Sequence, residues 1–308
     1  SDAITFTGAV SLGANVTLGT NNGNVVFSGG TSTVDADSAG NNRTLTITAG
    51  TGTVTLGAAV GATQALADFD VTAQNIGVSN NVTVDAGSGG ATATFSGTLQ
   101  LSGDSIFDAD GTADNHLSFA AINEADASVT SLTLSTGTGN ITLGGAVDGG
   151  FGLTVNSTGT VDLNGVIGGT TPLTSLTSDA SGTLDLGANV SVAGNVDVND
   201  AVTLASAVTL TTTGGGSVDF ADTVNGAQNL TLAAAGATVF NGTVGNTTPI
   251  GTGTGAALAI NSTGTTTFKN TLAGASGISQ SNSSGNLTFE QNVTLGNGDT
   301  ATNLAGAV

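Results

Sequence analysis

The sequence predicts an all-β protein: a parallel β-solenoid of about twelve irregular coils, forming one domain over residues 1–308. Three observations predict it. Short strands alternate apolar and polar residues, glycine-containing bends separate them, and the pair recurs along the chain. The clearest stretch is 153–169, LTVNSTGTVDLNGVIGG. Leu153 and Val155 alternate with Thr154 and Asn156; Val161 and Leu163 alternate with Thr160 and Asp162. Side chains of a strand point alternately to opposite faces, so each run has one apolar face. Ser157, Thr158 and Gly159 bend the chain between the runs, and Gly165, Gly168 and Gly169 bend it again. Two short strands cannot bury their own stripe, so the unit needs copies above and below it.

Those copies are present. The second half of the unit reads ITFTGAV at 4–10, VTLGAAV at 54–60, ITLGGAV at 141–147, LDLGANV at 184–190, VDFADTV at 218–224, TTFKNTL at 266–272 and LTFEQNV at 287–293. The first half recurs as LTIT at 45–48, LTLS at 132–135, LTLA at 230–233 and LAIN at 258–261. Most Leu or Phe anchors lie about 20 to 29 residues apart, within the range of solenoid coils.

In chain order, residues 1–34 hold two coils, 34–42 is a polar loop and 45–60 is a complete unit. Residues 65–84 are patterned more weakly; Leu66, Phe69 and Val71 could form a helical turn, but strand is the expected state. The most acidic stretch, 103–127, departs from the repeat and is expected to protrude as a loop. Two inserts, GGTTPL and GNTTPI, follow second-half strands and carry the two prolines, Pro172 and Pro249; their match predicts a recurring corner loop.

Composition narrows the function. The formal charge is −20, with Arg43 and Lys269 the only lysine or arginine, which disfavours nucleic acid and anionic lipid as direct partners. There is no cysteine, hence no disulfide and no thiolate chemistry. No apolar run approaches the ~18 residues of a transmembrane helix. The chain starts Ser1–Asp2 and holds no methionine, which suggests a processed product, by removal of a secretory signal, or a segment of a longer chain.

Candidate chemistry is sparse. Asp108, Asp110 and Asp114 put alternating carboxylates around Gly111, a fragment of a calcium loop that lacks its third alternate carboxylate and its distal Glu. A solvated acidic loop is the simpler reading. His116 is the one histidine, so a transition-metal or triad role has no partner residues. Glu124 and Asp126 are the nearest carboxylate pair for a polysaccharide-active enzyme, but two isolated cations and no Trp or Tyr offer little to hold a sugar. Outward Thr residues, as at 46, 48, 53 and 55, could form an ice-matching array, but Asp162, Asp185 and Asp219 interrupt it. Asn-x-Ser/Thr triplets start at Asn15, Asn81, Asn140, Asn156, Asn229, Asn241, Asn261, Asn286 and Asn292; in so Asn- and Thr-rich a chain most are expected by chance. No enzyme and no cofactor is expected.

The VTL and VDF strands, GAV corners and GGTTPL loop resemble giant bacterial surface β-strand-repeat proteins of the filamentous-haemagglutinin-like and autotransporter-passenger-like kind. The resemblance implies a right-handed parallel β-helix outside the cell, serving as adhesin, stalk or matrix fibre, with no catalytic motif. The ends carry apolar strand residues without an evident cap: Ile4, Phe6 and Val10 at one, Leu304 and Val308 at the other. The expected function is therefore a secreted structural subunit that stacks head to tail, or exchanges terminal strands, into a surface or matrix fibre with itself as partner. The alternative is an adhesin or stalk segment of a larger surface protein, with binding carried by 103–127.

Overall fold

A computed structural model describes residues 3–85, 90–111, 115–281 and 285–296. The chain is all-β, with no helix among the described residues, and its parallel strands stack as a β-solenoid of about 12 turns. By internal contacts it divides into two compact units, Ser1–Thr160 and Val161–Val308.

In the first unit a coil has three short sides. Val16–Gly19 is followed by Val25–Phe27 and Val34–Ala36. The next coil lies directly on it: Val16 pairs with Leu45, Val25 with Val54, and Val34 bridges Val60. Further along, Asp68–Val78, Thr92–Leu101 and His116–Glu124 each run through two sides without a break. Their register slips between Phe95 and Thr98, where the chain turns the corner. The weakly patterned stretch around Phe69 is thus strand, as expected. The described part of the acidic stretch 103–127 is mainly strand and not a protruding loop. Ser105–Asp108 and His116–Glu124 take most of it into the ladder, because Phe107, Leu117, Phe119 and Ile122 point inward and are fully buried.

The second unit repeats the plan. Thr183–Leu186, Val190–Val192 and Val196–Val198 form one coil; Ala201–Leu204, Val208–Thr212 and Val218–Phe220 form the next, in register. Three strands per coil, rather than two, is the main departure from the sequence reading. In several coils one side shrinks to two residues, as at Val147–Asp148 and Val224–Asn225, or to a single bridge, so its stripe passes for a corner. Ile167, which reads as part of a bend, is such a side, bridging Val190.

In-register stacking sorts the core into columns. In the first unit Phe6 stacks on Phe27 at 4.8 Å and Phe95 on Phe119 at 5.0 Å. In the second, Phe220, Phe240, Phe268 and Phe289 form a continuous stack at 4.8, 4.5 and 5.3 Å. Such contacts add about 0.5–1.5 kcal/mol per pair beyond burial.

The matched inserts share one geometry. Gly168 and Gly245 follow Ile167 and Val244 with φ of 65° and 72°, and six residues after the strand end Leu173 and Ile250 return to full burial. The structure adds a third case that has no proline: Val60, Gly61 with φ 70°, and buried Leu66. At all three glycines a Cβ would collide with a carbonyl oxygen of the following coil: Thr83, Ser191 and Ala273 respectively. Left-handed backbone and the collision act together, so Gly245→Ala should cost about 2–4 kcal/mol. The measurement is the shift of the urea midpoint at unchanged m-value.

Candidate functional site

A parallel ladder creates a recurring problem at the start of each strand. The residue before the first inward side chain directs its N–H toward the preceding coil, where the strand beneath is only beginning and its backbone offers no acceptor. A hydrogen bond made here is worth about 0.5–1.5 kcal/mol net. Here a side chain from the residue directly beneath supplies the oxygen. Asn15 Oδ1 accepts from Thr44 N–H at 3.2 Å, Asn24 from Thr53 at 2.9 Å and Asn81 from Ile106 at 3.0 Å. Asn140 accepts from Thr160 at 3.0 Å, Asn189 from Thr209 at 2.8 Å and Asn195 from Ser217 at 3.1 Å. Carboxylates serve equally: Asp70 accepts from Thr94 and Asp104 from Thr130 and Ser131. Exposed acceptors of this set all face the C-terminal side of their coil.

This explains four of the Asn-x-Thr triplets. At Asn15, Asn81, Asn140 and Asn229 the Asn is the corner acceptor, the middle residue points into the core, and the Thr points out. These four recur because three adjacent positions have three fixed environments. Sequence reasoning missed the acceptors; the recurrence of NVTL, NITL and NLTL at strand starts was the available signal.

His116 belongs to the same set: its Nδ1 accepts the Asn140 N–H at 2.7 Å. The candidate catalytic pair is also occupied. Glu124 Oε2 accepts from Gly150 N–H at 2.6 Å, and Asp126 Oδ1 from Ser128 N–H at 2.9 Å, which holds the Asp126 carboxyl below its ordinary value. Asp108 and Asp110 share one turn: Asp110 N–H donates to Asp108 Oδ1 at 3.1 Å, and Ser135 Oγ to Asp110 Oδ2 at 3.0 Å. Asp114 lies outside the described residues. Among those described, no three His, Asp or Glu side chains gather as a metal site would require. Both cations have partners. Arg43 grips Asp37 through two bonds of 2.9 and 3.1 Å, which hold that carboxyl down at about 2, and Lys269 donates to Asn241 Oδ1 at 2.7 Å. An open groove of about 300 Å³ on the second unit is lined by Val166, Ile167, Ser191, Thr209 and Thr211 among others, with no carboxylate or cation.

The remaining predicted residues form a coil edge. Ile4–Phe6, Val10–Leu12 and Val16–Gly19 each pair on one side only, with Val25–Phe27, Val34–Ala36 and Thr44–Thr48. Ile4, Phe6, Val10, Val16 and Leu18 are half-buried, whereas Val25, Phe27, Val34, Leu45 and Ile47, one coil in, are at most 1% exposed. Ile4 N–H and Phe6 C=O bond the inner coil, which leaves the N–H and C=O of the outward residues facing away from the stack. In the second unit, Leu287–Phe289 and Val293–Leu295 form the corresponding edge among the described residues, with Val293 38% exposed. Leu304 and Val308 lie outside the described residues.

No family model, curated protein or solved structure matches the chain.

Two outcomes follow from the corner chemistry. Asn189→Ala should cost about 1 kcal/mol in urea denaturation, and Asn189→Asp, which keeps the acceptor, should restore most of it. Asp68, stacked between Thr44 and Thr92, has a buried Oδ1 with no hydrogen-bond partner; burial first, then the Asp70 charge, pushes its carboxyl up to about 6. A raised carboxyl binds its proton more tightly when folded, so stability is greatest below about 3.8 and falls as pH rises towards 6. Asp68→Asn should therefore melt higher than the parent at pH 7, by about 1 kcal/mol after solvent screening, and equally at pH 3.

Proposed function

We propose that this chain is an extracellular structural protein, a solenoid subunit that stacks head to tail, or exchanges terminal strands, to build a surface or matrix fibre. The observation that carries the reading is the edge at residues 4–19. Its apolar columns are those of the interior, its backbone groups face outward, and no strand covers them among the described residues. An open parallel edge templates the addition of another strand.

The charge distribution supports the same reading. Residues 3–34 carry no charged side chain, and 223–289 carry only Lys269, in a chain of formal charge −20. The acidic residues concentrate between Asp35 and Asp222, often directly above one another, as Asp219 above Asp197. Near-neutral edges can meet without like-charge repulsion, while acidic flanks oppose side-by-side association. The resemblance to bacterial surface repeat proteins favours a place outside the cell. Adhesion through 103–127 is less favoured, since Ser105–Asp108 and His116–Glu124 are ladder.

Negative-stain electron microscopy and light scattering of the full chain test the proposal. Filaments should form above a critical concentration and persist in high salt, since the contact is apolar and hydrogen-bonded. A monodisperse monomer at high concentration would overturn it.

A further inference from the structure

The corner acceptors give the joint a polarity. Asn286 and Asn292 immediately precede Leu287–Phe289 and Val293–Leu295. By register Asn286 stands above Thr265 and Asn292 above Thr271, at the positions Asn195 and Asn140 hold in their own coils. Both side chains are exposed and belong to the last described coil, so no described N–H lies above them. On the other edge, Ala9 and Asn15 immediately precede Val10–Leu12 and Val16–Gly19, and their N–H groups face outward from the stack. One edge presents two side-chain acceptors, and the other presents two backbone donors.

We infer that the occupant of these edges is a second copy of this chain, docked so that Asn286 Oδ1 accepts the Ala9 N–H and Asn292 Oδ1 accepts the Asn15 N–H of the next copy. This rests on the fibre reading above and specifies its joint. The same docking sets Leu287 under Val10, Phe289 under Leu12, Val293 under Val16 and Leu295 under Leu18, every inward residue on an inward residue. It also matches the bonding of the interior, where Asn15 Oδ1 accepts from Thr44 in the coil above. The edges meet without opposed like charges, Glu290 being the one ionisable side chain between residues 285 and 296 and none lying between 3 and 19. Each joint sets the edge that carries the two side-chain acceptors on the edge that carries the two strand-opening N–H groups, so growth runs head to tail.

Two variants of the full chain decide it. Asn286→Ala/Asn292→Ala removes the acceptors and leaves the donor edge intact. Ala9→Pro removes a donor and leaves the acceptors intact. Each should raise the critical concentration at least about tenfold, and Asn286→Asp/Asn292→Asp, which keeps the acceptors as Asp70 and Asp104 do, should restore assembly. At a concentration where the parent is filamentous, each variant alone should be monomeric. Mixed, they should form a 1:1 dimer and stop, because only one good joint remains; that dimer also reports that both variants are folded. Filaments from either variant alone, or a mixture that stays monomeric while the parent polymerises, would overturn the joint and leave the fibre reading standing. A parent that never polymerises removes both.

Discussion

Strand residues in this fold sit on their counterparts one coil below. Parallel strands pair at about 4.8 Å, and the register in each unit allows no slip except at the corner between Phe95 and Thr98. A one-residue shift would turn Val25, Phe27, Val54 and Leu56 out to solvent together. Columns follow from that constraint: phenylalanine on phenylalanine inside, threonine on threonine outside, and a side-chain acceptor beneath many of the N–H groups at strand starts. So does the liability of aspartate on aspartate. Asp185 illustrates it, its carboxyl raised by burial and further by the Asp162 charge, with a Thr203 hydrogen bond opposing both.

The period and class of the fold were legible because they live in the alternation of Val, Leu and Thr, which burial dictates residue by residue. The number of sides was not. A side such as Val147–Asp148 holds one inward residue, and a single valine between glycines carries no periodicity. The acidic stretch misled for a related reason. Asp104, Asp108, Asp110 and Glu124 look like solvent-seeking charge, yet three of them bond backbone N–H groups, in the same coil or the next, while the hydrophobic residues between them fill the core. Composition reported the polar half of each strand and hid the apolar half. The edge residues Ile4, Phe6 and Val10 were recognisable as strand, because nothing about an edge changes the pattern of the strand itself.

The corner acceptors unite features that looked unrelated. Four of the Asn-x-Thr triplets, a lone histidine and scattered aspartates all solve one local problem, the N–H at the start of a strand. The shared direction of the exposed corner acceptors makes the two faces of a coil distinguishable, one carrying these side-chain oxygens and the other the strand-opening N–H groups they meet. A stack of such coils is polar in the way that a helix is polar, although its strands are extended. That polarity, with charge kept away from the edge coils, is what distinguishes these edges from an ordinary exposed strand.

The excursions that begin at Gly61, Gly168 and Gly245 leave the ladder and rejoin it at the same level, with Leu66, Leu173 and Ile250 as the points of re-entry. Neighbouring coils hold the anchor at each end and touch the span between them at a few points, as where Gln64 C=O accepts from Ala36 N–H and Thr248 C=O from Gly226 N–H. These corners are therefore the places where lineage divergence, or a protein engineer, can splice in a foreign peptide and display it at fixed intervals along an otherwise unaltered scaffold.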